Sequence, residues 1–591
     1  MKYLLIALFG ILLLAGFRRR VVPPEDNRWT TPFERSGGKA SATYDECMAY
    51  YKQLADAYDQ LKILPYGNTS IGKPLQLVVI DKDKAFTPAS AHQHNKRILL
   101  INNGIHPGEP DGVDACMMLA RDLVQKDELN KLLDHVVVCI IPVYNISGCL
   151  NRGISRPNQN GPLAYGFRGN AQNLDLNRDF LKCDAPESAS FNALFCDWQP
   201  ELLIDTHVSD GADYPYVMTY IATQKDKLNA SLANYLINKL QPALDKSMKD
   251  GGFECCPYVD TKASTPDSGL VGYLETPRYS TGYAALHNCI GFVAETHMLK
   301  PYQQRVEATY LFCEQLLRQE GHDFQLLGEL KKKADDETCV QATFGLHWSL
   351  NDSTFDKILF RGYTAKYKTS AVTGLPQLYY DEQQPWVRKI PFYNNYYADV
   401  SVGKPIAYLV PQACSKIISL MKVNGVQMKQ LSRDLKVSGG IYTITSYKSS
   451  SQPYENHFLH RQVEVEKHTD SLQFYKGDYL IICNQPANRY IVESLEPQGV
   501  DSWFAWNAFD GILQEKEYFS DYVFDTVAVR LLQQYPDLRA QFDAKRQGDT
   551  AFAGNKDAQL FYIYQHSPYF EKSVNRYPVL RVETEMSLPV E

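Results

Sequence analysis

After a Pro-rich opening, "VVPPEDNRWTTPFERSGG" at 21–38, short apolar runs alternate with longer stretches whose apolar residues recur at helical spacing. "LQLVVI" (75–80), "RILLINN" (97–103), "HVVVCIIPVY" (135–144), "ELLIDTH" (201–207) and "IGFVAETH" (290–297) predict buried strands. "GVDACMMLARDLVQ" (112–125), "PESASFNALFCDW" (186–198) and "QQRVEATYLFCEQLLRQ" (303–319) predict the helices between and after them. Strands alternating with helices predict an α/β fold, with a mixed, largely parallel sheet flanked by helices.

The polar run "GELKKKADDET" (328–338) breaks this pattern. From there to about residue 400 the chain is rich in Tyr, Thr and Val with turn residues, which predicts a β-rich insert or small sandwich. "PIAYLVPQACSKIISLMKVNGV" (405–426) and "YLIICNQPANRYIVESLEPQGV" (479–500) each read as strand then helix, so the last part is mixed. At 591 residues the chain exceeds what one hydrophobic core organises. The expected division is a leader at 1–20, an α/β domain at 40–322, and a C-terminal accessory region at 340–591, β-rich and then mixed α/β.

Composition narrows the function classes. The net charge of −7 has its signs interspersed and offers no basic stripe, which argues against nucleic acid as a partner. The 39 tyrosines suit either stacking platforms for sugars or the half-buried positions of a β-rich fold, and the second is the plainer reading. Thirteen cysteines cannot all pair within one chain, no CxxC occurs, and several lie in apolar runs as small core residues. The first segment, "MKYLLIALFGILLLAGFRRR", has an apolar run from Tyr3 to Phe17 that resembles a secretory signal. It predicts export to the periplasm, the cell surface or the medium; an uncleaved N-terminal membrane anchor is the alternative.

Candidate chemistry falls at the carboxyl ends of the predicted strands, where open α/β sheets bind ligands. His106 and Glu109 follow "RILLINN" in the turn "NNGIHPGEPDG"; Asp175, Asn177 and Arg178 lie in "NLDLNRDF"; His207 closes "ELLIDTH"; Glu295 closes "IGFVAETH". Two histidines and a glutamate are one of the standard catalytic zinc sets, which leaves a coordination position open. A turn bent by Gly and Pro can bring His106 and Glu109 to one ion. Arg178 offers a planar fork that matches a carboxylate, with Asn177 beside it as a further donor. Glu295 ends an apolar run, where a carboxylate is costly without a task or a partner.

"HPGE", "DLNR", a strand ending in "DTH" and a strand ending in "AETH", in this order, resemble the zinc carboxypeptidases of the carboxypeptidase A and B type over about residues 40–320. The resemblance implies one zinc ion held by His106, Glu109 and His207, and Glu295 as the general base that activates water. It implies Asn177 and Arg178 as the pair holding the terminal carboxylate of a peptide substrate, and Asp175 as the carboxylate that orients the first histidine. Arg168 in "YGFRGN" is the candidate oxyanion stabiliser by order, with Arg156 and Arg152 behind it. A capping tyrosine is expected before Glu295: spacing favours Tyr273, while the run "RYSTGY" favours Tyr279 or Tyr283. Arg278 in the same run selects acidic side chains or is a solvated arginine, and no specificity is read from it. "LEPQGVDSWFAWNAFD" and "HSPYFEKSVNRYPVLRV" resemble the extra region of certain large bacterial members.

The implied activity is hydrolysis of the C-terminal residue of a peptide. A zinc amidase or deacylase acting on cell-wall peptides or N-acyl amino acids is the second reading, and a surface binding protein with a dead site the third.

Overall fold

The structure is a computed structural model that describes residues 26–591; the expected leader at 1–20 lies outside the described residues. Among the described residues no helix is long and apolar enough to cross a membrane.

The strands of the first part, in chain order, are β1 (Leu61–Tyr66), β2 (Leu75–Ile80), β3 (Arg97–Asn102), β4 (Val136–Ile141), β5 (Leu202–Ser209), β6 (Met218–Ala222), β7 (Cys255–Pro257), β8 (Asp260–Thr261), β9 (Leu270–Val271) and β10 (Ile290–His297). Eight of them form one sheet in the order β1-β2-β4-β3-β5-β10-β6-β7. The centre, β4-β3-β5-β10, is parallel. The flanks are mixed: β1 and β2 join antiparallel on one side, β6 runs antiparallel to β10 on the other, and β7 runs parallel to β6.

The central strands read as unbroken apolar runs because both of their faces are covered. Along β3, Leu99 and Ile101 enter one core while Ile98 and Leu100 enter the opposite one. The first core is closed by helices Asp111–Gln125 and Tyr302–His322, which pack on each other. The second lies beneath helix Pro186–Trp198 and takes in Phe191, Phe195 and Trp198.

That second core is shared with the C-terminal part of the chain, since Tyr408, Met421, Tyr490, Trp503 and Trp506 belong to it. These residues come from a six-stranded sheet and the segments around it. In chain order its strands are Ala407–Val410, Lys429–Gln430, Leu435–Ser449, His460–Phe474, Tyr479–Ile482 and Leu580–Val582. Between the two sheets, a long hairpin, Asp356–Thr369 with Pro376–Tyr393, attaches to β9 through Phe392 and Tyr393.

One segment departs from the sequence reading. The polar run at 328–338 does not interrupt the fold; it lies inside helix Phe324–Val340. Its charges pair one turn apart, Lys332 with Asp336 at 2.6 Å and Lys333 with Glu337 at 3.7 Å, and only a thin seam of Leu327, Ala334 and Thr338 faces inward.

Candidate active site

The loop after β3 turns back at once because Gly104 adopts φ +66°, a conformation open to glycine. The Glu109 N–H donates to the His106 carbonyl at 2.8 Å, closing a tight turn that puts both side chains on the same side. His207 arrives from the end of β5. All three side chains are buried, at 3% exposure each.

Three of their atoms form a nearly equilateral triangle. His106 Nδ1 stands 3.4 Å from Glu109 Oε2, His207 Nδ1 stands 3.1 Å from the same oxygen, and the two Nδ1 atoms are 3.1 Å apart. Ligands about 2.0–2.1 Å from a tetrahedral ion are separated by roughly 3.3–3.4 Å. The triangle therefore fits a metal of that size, with the fourth direction open to the crevice. Each outward-facing ring nitrogen faces a carboxylate: His106 Nε2 is hydrogen-bonded to Asp175 Oδ1 at 2.8 Å, and His207 Nε2 lies 3.1 Å from Asp205 Oδ2, an ion-pair approach outside hydrogen-bond geometry. Such partners fix the tautomer and orientation of ligating histidines. Asp205, two residues before His207 and so on the same strand face, escaped the sequence reading although it stands in "ELLIDTH".

The two acids nearest the triangle are poised differently. Burial raises the Glu109 carboxyl, but Arg156 and His106 overcome it and hold the group well below the usual carboxylate range. The Arg156 guanidinium bonds Glu109 Oε1 directly, and its other arm donates to the Val208 carbonyl at 3.1 Å. Glu295 sits beside His207 across the β5–β10 pair, and its Oε2 is buried without a protein partner. Burial pushes its carboxyl up to about 8; Glu109 and Glu275 add to the rise, against the opposing pull of His207.

Asp175 caps a single turn of helix, accepting the Asn177 N–H at 2.9 Å. Burial raises its carboxyl, yet His106, Arg168 and Arg178 hold it far below the usual range. Arg168 grips Asp175 through Nε at 2.9 Å and comes within 3.6 Å of Glu109. The Arg178 guanidinium lies 4.5 Å over the Tyr279 ring, donates one arm to the Asn177 carbonyl at 2.7 Å, and is 3.9 Å from Asp175. The Asn177 Oδ1 is buried without a partner.

His106, Glu109, His207, Glu295, Asn177, Arg178, Arg156, Arg168 and Tyr273 all line one crevice of about 620 Å³. Tyr279 is there too, its hydroxyl 3.3 Å from that of Tyr273. Tyr283 is not. It lies on the inward face of helix Ser280–Leu286, fully buried among Phe180, Phe191 and Phe195, and donates its hydroxyl to Asn424 at 2.6 Å. Its expected place in the substrate site is corrected accordingly: one helical turn after Tyr279, its direction is toward the core. Neither reading of Arg278 holds, since it is buried and paired with Asp501 at 2.6 Å.

The C-terminal part of the chain reaches this site. Glu455 accepts the Asp175 N–H at 2.9 Å. Asp501 accepts from both the backbone and the side chain of Arg278, whose guanidinium lies 4.7 Å over Trp506. The loops bearing Asp175–Arg178 and Tyr273–Tyr279 are thus both braced from the second sheet's side. Nothing in the local sequence signals these partners; 280 residues separate Glu455 from Asp175.

Residues 47–201 match the family model described as zinc carboxypeptidase. Solved structures similar to this chain include a metallo-carboxypeptidase from Burkholderia cenocepacia, at 16% identity over 48% of this chain and 70% of that one, TM-score 0.37. A carboxypeptidase A from Helicoverpa armigera is 13% identical over 56% of this chain and 81% of that one, TM-score 0.38. A metallo-carboxypeptidase from Pseudomonas aeruginosa, in complex with (2-guanidinoethylmercapto)succinic acid, is 16% identical over 49% of this chain and 70% of that one, TM-score 0.37. No curated protein matches the sequence.

Proposed function

We propose, on the premise that this chain carries a zinc carboxypeptidase domain, that it is an exported zinc metallocarboxypeptidase releasing the C-terminal residue of peptides, with residues 40–322 as the catalytic domain and 340–591 as an accessory region. The observation that carries this reading is the His106–Glu109–His207 triangle, with Glu295 beside it and Arg178 in the same crevice. His106, Glu109 and His207 would hold one zinc ion, which when bound polarises a carbonyl and lowers the pKa of water.

The chain's own groups supply the rest. Glu295, with a buried and unpartnered oxygen, would be held ionised by a cation bound at the triangle, and would take the proton from the attacking water and pass it to the leaving amine. Arg178 reaches Asp175 only at 3.9 Å, beyond hydrogen-bond distance; with Asn177 it would anchor the substrate's free carboxylate, which restricts cleavage to the last peptide bond. Arg168 would stabilise the developing oxyanion. Its grip on Asp175 and approach to Glu109 fix its place at the rim, and Arg156, bound to Glu109, would hold that ligand ionised. Tyr273 would close over the bound residue, with Tyr279 as its hydrogen-bonded neighbour.

The test is a mixed peptide pool incubated with the purified protein, with and without a chelator, and followed by mass. Chelator-sensitive loss of single C-terminal residues is the expected result. An unchanged pool in the presence of bound zinc would overturn the reading, and cell-wall peptides and N-acyl amino acids would be assayed next.

A further inference from the structure

The crevice holds a third glutamate that the proposed chemistry does not use. Glu275 lines it together with Glu295, Ile221, Tyr258 and Tyr273, at 5% exposure. Its Oε2 accepts the Thr281 N–H at 2.9 Å and the Thr281 hydroxyl at 2.5 Å, so the carboxyl is held in one orientation by the first turn of helix Ser280–Leu286.

Apart from Glu295, whose Oε2 is likewise unpartnered and which the proposed chemistry uses as its base, the buried acids at the triangle have cationic or imidazole partners. Glu109 has Arg156, Asp175 has Arg168, and Asp205 has His207. Among the described residues no lysine or arginine forms an ion pair with Glu275. The candidate nearest in sequence, Arg278, is committed to Asp501 at 2.6 Å. Lys227, whose ammonium feels Glu275 electrostatically, is buried and forms no ion pair with it. A carboxylate removed from water without a countercharge is unfavourable, and a cation arriving with the substrate relieves that cost. The adjoining wall has the shape of chemistry to match: Ile221 and the rings of Tyr258 and Tyr273 suit an apolar stem, and Glu275 a charged tip.

We infer that the crevice selects a C-terminal residue with a cationic side chain, an amine or guanidine on an aliphatic stem, through Glu275. The inference rests on the carboxypeptidase reading, with Arg178 holding the carboxylate and Glu275 the opposite charge of the same residue.

The test uses matched peptides differing only in a final Lys, Arg, Leu or Glu. In the unaltered protein, kcat/KM for the Lys and Arg peptides is expected to exceed that for Leu by tenfold or more, as a rough scale for one charge-assisted contact. Glu275→Gln should collapse that ratio, and Glu275→Arg should shift preference toward the Glu peptide. Zinc content and thermal unfolding of each variant report whether it has folded, and the unaltered protein's own ranking tests the proposal if neither variant folds. Calorimetry with free lysine, arginine and leucine in the presence of a chelator gives a readout independent of turnover, in which only the basic amino acids should bind measurably. Equal or better release of Leu by the unaltered protein, or an unchanged ratio in Glu275→Gln, would overturn the inference while leaving the carboxypeptidase reading intact. Release of no C-terminal residue from any peptide would remove that reading, and this inference with it.

Discussion

Glu295 and His207 are register partners on adjacent parallel strands, so their side chains leave the sheet together on the same face at its carboxyl edge. The separation of the proposed base and the proposed metal ligand is therefore set by the spacing of two paired strands. Glu295→Gln keeps the size and removes the basicity. It should retain zinc, measured by elemental analysis, and lower kcat by about 10³-fold, within the range for losing a positioned general base.

The carboxylates behind the histidines should matter for loading more than for folding. Asp205→Asn and Asp175→Asn are expected to weaken zinc affinity by about 10–100-fold, the usual effect of losing such a partner. Competition with a metal indicator dye would measure it. Unaltered affinity in both variants would mean that the outward nitrogens are oriented by something else.

The brace from the second sheet is exposed by Asp501→Ala, which leaves the Arg278 guanidinium buried without its carboxylate. Breaking a buried pair from one side costs about 3–5 kcal/mol, so the urea midpoint should fall clearly. Because Arg278 adjoins Tyr279, KM for peptides should rise in the same variant. A lower midpoint with unchanged KM would confine the pair to stability.

Acid sensitivity has an identifiable contributor far from the crevice. Burial, with Lys331 and Arg489 nearby, pushes the His287 imidazole down to about 3 from the ordinary 6.5. Below the ordinary value the unfolded chain takes up a proton that the folded chain refuses. Stability is therefore lost as pH falls from 6.5 toward 3, by about 2 kcal/mol at pH 5. His287→Phe, which keeps a ring against Phe195, Tyr283 and Tyr490, should flatten that part of the stability profile. Urea midpoints near pH 5 and near neutrality would show it.

The reach of the sequence reading follows physical lines. β3, β5 and β10 were legible because burial on both faces writes an unbroken apolar run, and the polar residues that end them stand out against it. That contrast places His106, His207 and Glu295 at one edge before any coordinates. Helix Phe324–Val340 is hidden in the sequence because its exposed face is a dense run of charges, while only a few residues, Leu327 and Ala334 among them, enter the core. Tyr283 was misplaced because a list of nearby tyrosines carries no information about which side of a helix each occupies, and a single turn separates crevice from core. Glu455 and Asp501 could not have been read at all, since their role depends on how two distant sheets meet.

The shared second core also decides what may be cut away. A chain ending after residue 322 would lose Tyr408, Met421, Tyr490, Trp503 and Trp506, and the inner faces of Phe195, Trp198 and Tyr283 would lose their apolar cover. Such a fragment would carry the whole triangle yet present a large greasy surface, and would precipitate or recruit chaperones instead of working alone. A portable unit must therefore carry the C-terminal residues of that shared core, together with Glu455 and Asp501, which hold the backbone of Asp175 and the side chain of Arg278.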